Sequence, residues 1–183
     1  MTGFSPISQK PKNTRYKEVC PWKFILCNTA WHWRKTEDPE RPLSSTGEQQ
    51  IRASAKAIRK MGLKFDLIIT STKKRSRQTA EIVAKTIGYP TESIIETDSV
   101  KPSALPQTTI DFIGQFKDKN SIFIAGHLPS LPKLASYLLS EGSEISIHFE
   151  NGGLCCIAVE ILSAGSGDLR YYTTPQQLQL IAG

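Results

Sequence analysis

Four basic residues crowd the five positions Lys73, Lys74, Arg75, Ser76 and Arg77, directly after an apolar run that ends at Thr70. If a helix begins there, its first backbone N–H groups and the Arg75 guanidinium can meet one anion. A helix N-terminus favours negative charge, and arginine offers a two-pronged fork to phosphate oxygens. The competing reading is a solvated basic face at a helix start. A nucleic-acid partner is disfavoured, because no aromatic residues interleave the cluster for base stacking. A second apolar run, Ser121 to Ala125, leads into Gly126-His127-Leu128-Pro129. Gly126 would let the backbone turn sharply, leaving the His127 imidazole at a strand end, able to donate to a phosphoryl oxygen or move a proton. Arg75 and His127 are therefore the candidate phosphate-binding and catalytic residues, while His148 has no comparable setting. No metal-ligand cluster is visible, and the chemistry asks for no metal and no cofactor.

The elements that must position these residues follow from hydrophobic spacing. Ile51, Ala55 and Ile58 share one face of a helix opening at Gly47 and stopped by Gly62. Phe65 to Thr70 has strand length and composition. A second helix is predicted from about Lys73 to Ile87, a short strand at Ser93 to Ile95, a loop at Pro102 to Pro106, and helices over Thr108 to Phe116 and near Leu131 to Leu139. Leu154 to Ile161 and Leu169 to Thr173, joined by the turn Ser163 to Asp168, read as a hairpin. Strands alternating with helices predict an α/β fold, a mostly parallel sheet with helices on both faces and an antiparallel C-terminal hairpin. In such sheets ligands gather at the carboxyl ends of the strands, where Arg75 and His127 would lie.

Composition refines this. The chain has 183 residues with a net charge of +6, which fits one soluble domain with no membrane-spanning run. Lys10, Lys12, Arg15, Lys17 and Lys23 against Glu18 alone put +4 of that +6 in residues 1–33, together with Trp22, Trp31 and Trp33. Residues 34–183 are nearly neutral. Residues 1–22 show no helical or strand period and are expected to be a poorly packed extension, with a single domain over 23–183. Arg34 to Leu43 reads as a polar surface loop. Cys155 and Cys156 should point to opposite faces of one strand, and the absence of a CxxC pair suggests buried free thiols in a reducing cytoplasm. The N-terminus has no apolar signal-peptide core, so export is not expected.

Three ordered motifs, Arg41-Pro-Leu-Ser-Ser-Thr-Gly47, Ser71-x-x-x-Arg75-x-x-Gln78-Thr79-Ala80 and Gly126-His127-x-Pro129, resemble the histidine phosphatase superfamily, most of all its short bacterial phosphohistidine phosphatases of SixA type. The likeness runs over residues 34–183 and includes the ending Tyr172-Thr-Thr-Pro-Gln-Gln-Leu178. It implies a phosphoglycerate-mutase-like fold and hydrolysis of a phosphohistidine protein or a small phosphate ester through a phosphohistidine intermediate, a covalent step that splits one hard displacement into two. In that family the first strand ends in Arg-His-Gly, whose histidine attacks phosphorus. The second arginine and second histidine of the pocket correspond to Arg75 and His127.

The first motif departs from the pattern. Lys23-Phe-Ile-Leu26 can form the first strand, but Cys27-Asn28-Thr29-Ala30 follows it, so Asn28, Thr29 and Ala30 stand in place of Arg-His-Gly. His32, flanked by Trp31 and Trp33, is out of register to substitute. The chain as written is therefore expected to be an impaired or inactive phosphatase, or alternatively a non-catalytic phosphoprotein-binding module. The genetic code offers an origin for the lesion. Reading one base later through Asn28 to Trp33 permits Ile-Arg-His-Gly, provided that Thr29 is ACG and Ala30 is GCA. Residues 1 to about 33 would then be out of frame, and other codons at Thr29 or Ala30 in the DNA would end that idea.

Overall fold

A computed structural model describes residues 22–30 and 40–183. Residues 1–21 of the expected extension, with Cys20, and His32 with the tryptophans flanking it lie outside these residues, whereas Trp22, expected in the extension, is the first residue of a strand. Trp22–Asn28 forms β1, followed by helix α1 (Ser45–Lys60), β2 (Leu67–Thr70), α2 (Lys74–Ile87), β3 (Ile95–Glu96), α3 (Pro106–Ile113), β4 (Ser121–Gly126), α4 (Ser130–Leu139), β5 (Leu154–Val159), β6 (Gly167–Thr173) and α5 (Pro175–Ala182). The six strands make one sheet in the order β3-β2-β4-β1-β5-β6. The first four in that order run parallel, and β5 and β6 are antiparallel additions.

Strand periodicity divides the core into two layers. Ile25 and Cys27 of β1, Ile68 of β2, Phe123 and Ala125 of β4 and Cys156 of β5 face α1, α2 and α5. Their neighbours Phe24, Leu26, Leu67, Ile69, Ile122, Ile124 and Cys155 face α3 and α4. Successive side chains on a strand point to opposite faces, so one apolar run serves both layers. The two vicinal cysteines separate as the sequence predicts, and burial pushes the Cys27 and Cys155 thiols up to about 12.

Helix boundaries follow local chemistry. The Ser44 hydroxyl accepts the Gly47 N–H at 3.1 Å and starts α1, and Gly62 just beyond its end has a left-handed φ of 69°. Three expectations are corrected. The strand expected at Ser93 to Ile95 is a single 3-10 turn, Thr91–Ser93, followed by the two-residue β3. Helix α3 starts at Pro106, because proline is pre-organised for the first helical position. Finally, α5 had no predicted counterpart: Thr174 and Gln177 form a reciprocal capping box, and its only buried residues are Pro175 and Leu178, too few to show a helical period. No helix among the described residues is long and apolar enough to cross a membrane.

Candidate functional site

The carboxyl ends of the adjacent parallel strands β2, β4 and β1 converge. Register places Asn28 abreast of Gly126, and the Thr29 N–H donates to the Gly126 carbonyl at 3.2 Å. The next residue on each strand is thus Thr29 beside His127. Both are buried, as are Asn28 and Ala30. Asn28, Thr29 and Ala30 therefore occupy the centre of the strand-end cluster.

Hydrogen bonds of short polar side chains fix α2 against this edge. The Thr70 hydroxyl donates to Ser76 Oγ at 3.0 Å, and Ser76 Oγ donates to the Ala125 carbonyl at 2.8 Å. The first turn of α2 is thereby locked to β2 and β4 together, which brings Arg75 to the end where His127 stands. Arg75 is 7% exposed, and its buried Nε has no hydrogen-bond partner. Burial first, and then the neighbouring Arg41 charge, pushes its pKa below the ordinary guanidinium value. Arg41 is held by its surroundings: the Leu43 N–H donates to Gln78 Oε1 at 2.8 Å, and Glu40 pairs with Lys74 at 2.5 Å. Arg41 also adopts a left-handed φ of 51°, rare for a non-glycine residue and of the kind that clusters at functional sites. Like charges brought together under burial cost free energy unless an anion offsets them.

His127 caps β4. Its carbonyl accepts the Ser130 hydroxyl at 2.9 Å and the Leu131 N–H at 3.0 Å, which begins α4, and its Nε2 lies 2.5 Å from Ser71 Oγ. Gly126 has no positive φ, so a sharp turn is not its purpose. A Cβ there would lie 2.7 Å from Leu131 Cδ2, so any larger residue would have to displace the buried Leu131 side chain by which α4 packs on the strand end. On the other side of β1, Asn28 Nδ2 donates to Asn151 Oδ1 at 2.9 Å and the Gly152 N–H donates to the Asn28 carbonyl at 2.8 Å. These bonds close the loop before β5 over the site.

Arg75, at the start of α2, and His127, after β4, thus lie at the same carboxyl edge of the sheet, with Asn28, Thr29 and Ala30 between β4 and that loop. The rest of the basic run does not share a face with Arg75: Lys74 pairs with Glu40, and Arg77 lies 3.7 Å from Glu96. Ser71, Arg41 and Asn151 were given no role from sequence. Ser71 and Arg41 lie inside the motifs quoted above, whereas Asn151 carries no signal. Two clefts of about 330 Å³, one between α1 and α2 and one beside α3 and α4, are lined by neither Arg75 nor His127 nor any of Asn28, Thr29 and Ala30.

Known proteins share the fold that builds this strand edge. A family model described as histidine phosphatase superfamily (branch 1) matches residues 27–99, from the end of β1 through Arg75. An uncharacterized protein of Picosynechococcus sp. strain PCC 7002 is 46% identical over 48 residues, 26% of this chain and only 29% of that protein's length. The structure of the protein histidine phosphatase SixA complexed with tungstate superposes with a TM-score of 0.74 at 18% identity, covering 85% of this chain and 99% of that one. The alpha-ribazole phosphatase of Shigella flexneri gives 0.67 at 14% identity, with 84% and 96% covered. The phosphoserine phosphatase of Entamoeba histolytica gives 0.64 at 16%, with 85% and 98% covered. These structures share the phosphoglycerate-mutase-like fold. Over residues 27–99, from the end of β1 through the Arg75 helix, the chain is similar to the histidine phosphatase superfamily, and its fold is the one these phosphatases share.

Proposed function

We propose that the strand-end cluster is the phosphoryl-binding site of a phosphohistidine phosphatase of SixA type that has lost its covalent step, and that it holds a phosphohistidine protein or a small phosphate ester with absent or very weak turnover. The observation that carries the reading is Arg75: a charged group 7% exposed, with an unpartnered buried Nε and a second guanidinium as neighbour, is stabilised by an anion. The SixA structure with this fold is complexed with tungstate, an oxyanion.

The lost step follows from Thr29. A threonine hydroxyl becomes a nucleophile only beside a base that takes its proton. Among the described residues the neighbouring candidate is His127, whose Nε2 is engaged by Ser71 at 2.5 Å. Asn28 lacks a guanidinium to neutralise phosphoryl oxygens, and its amide is tied to Asn151. What remains is electrostatic binding by Arg75 and hydrogen bonding by His127, the equipment of a binding module. Buried free thiols at Cys27, Cys155 and Cys156 suit a reducing compartment such as the cytoplasm.

Titration calorimetry with inorganic phosphate, beside a steady-state assay with phosphoramidate as the phosphohistidine mimic, tests this. Binding without turnover is expected. Turnover at ordinary enzyme rates that His127→Ala abolishes would show a replacement nucleophile, and a lack of both binding and turnover would remove the site itself.

A further inference from the structure

Ser71 is fully buried at the end of β2, and its Oγ meets two groups. The Lys73 N–H donates to it at 3.3 Å, and His127 Nε2 lies 2.5 Å away. A serine hydroxyl carries one proton and two lone pairs. The Lys73 N–H takes one lone pair, and among the described residues no acceptor other than His127 Nε2 meets the hydroxyl, so its single proton is satisfied by pointing there. That nitrogen then accepts, and the neutral ring carries its own proton on Nδ1. Complete burial also means that no phosphorus atom reaches Ser71 Oγ, so the residue acts through His127 rather than on a substrate.

We infer that Ser71 is a positioning residue that fixes the Nδ1–H tautomer and the ring plane of His127, and so sets how the ring meets a bound phosphoryl group. The tautomer assignment stands on the Ser71 geometry, and the phosphoryl part rests on the function proposed above. The same turn that delivers Arg75 delivers this clamp: Lys73, whose N–H orients the Ser71 hydroxyl, is the residue immediately before α2. Hydrogen bonding at one ring nitrogen decides what the other can offer a ligand.

Ring-nitrogen NMR on the ¹⁵N-labelled full chain reads this directly, with the His127 signals assigned by their loss in His127→Gln. At a pH where the ring is neutral, Nδ1 is expected to be the protonated nitrogen. In Ser71→Ala the proton shifts toward Nε2, whereas Ser71→Thr, which keeps the hydroxyl, retains the original pattern. A residue that merely filled space would leave the tautomer unmoved. In parallel, calorimetry should show phosphate affinity falling roughly five- to tenfold in Ser71→Ala, the effect of one hydrogen bond of ordinary net strength. An Nε2–H ring in the unaltered chain, or a Ser71→Ala variant with unchanged tautomer, overturns the inference. If the tautomer shifts as expected but no variant binds phosphate, the positioning role stands and the phosphoryl-site reading fails.

Discussion

Changing Asn28→Arg, Thr29→His and Ala30→Gly together is expected to turn the chain into a working phosphatase. The kcat for phosphoramidate should rise on the order of 10³-fold or more, the scale on which enzymes lose activity when a covalent nucleophile is removed. The expectation rests on register. Asn28 lies abreast of Gly126, so an imidazole at position 29 stands beside His127, at the strand edge to which α2 delivers Arg75. The surroundings also suit the change. Asn151 Oδ1, which now accepts from the Asn28 amide at 2.9 Å, can accept from a guanidinium at the same place. Ala30→Gly deletes one buried methyl and frees backbone at the point where the larger imidazole must be admitted. Labelled phosphate should become trapped as an acid-labile, alkali-stable adduct, the signature of phosphohistidine. Adding His127→Ala to the restored chain should cut kcat by about 10²- to 10⁴-fold, the usual contribution of a positioned proton donor. A restored chain that folds with unchanged circular dichroism yet forms no adduct would mean that the pocket is not built for phosphoryl transfer.

Much of this architecture was legible because it is periodic. Alternation in β1, β2 and β4 sorts side chains between the two layers, and a 3.6-residue period marks α1 and α2. Arg75 belongs to the same stripe: with Ser76, Thr79, Ala80, Val83 and Ala84 it forms the buried face of α2, so the one buried arginine of the Lys73 to Arg77 run could have been picked out from spacing alone. What resisted reading is non-local. Asn28 meets Asn151 across 123 positions and Ser71 meets His127 across 56, with no period or motif linking them, because sheet topology makes these contacts. The role of Gly126 was misread for a related reason: its constraint comes from Leu131 on the next helix, and local turn chemistry cannot show it. The short α5 escaped because its stability comes from a capping box and docking on α1, with almost no amphipathic stripe of its own.

Arg75→Gln should separate binding from stability in opposite directions. A hydrogen bond to a charged group contributes about 1.5 to 3 kcal/mol, so phosphate affinity is expected to fall roughly 10- to 150-fold. The ligand-free domain should be as stable as before, or more so by up to about 1 kcal/mol, since burial and Arg41 disfavour the charge at Arg75 in the folded state. The sign is fixed by linkage: a base whose folded pKa is depressed is destabilising while protonated, and the penalty is relieved only as pH rises toward that pKa. Because a guanidinium titrates far above neutrality, the penalty is constant across the neutral range, and its removal shows as a pH-independent offset. Thermal unfolding makes the contrast visible. At 100 times its Kd, phosphate stabilises the unaltered chain by about 2.7 kcal/mol, or roughly 5–10 °C in Tm for a chain of this size. At that same concentration a variant weakened about 100-fold gains only about 0.4 kcal/mol, near 1 °C. A core residue behaves in the reverse way, lowering the ligand-free Tm and leaving the phosphate shift intact. That second pattern in Arg75→Gln would assign the arginine to packing and take the anion site away from this strand edge.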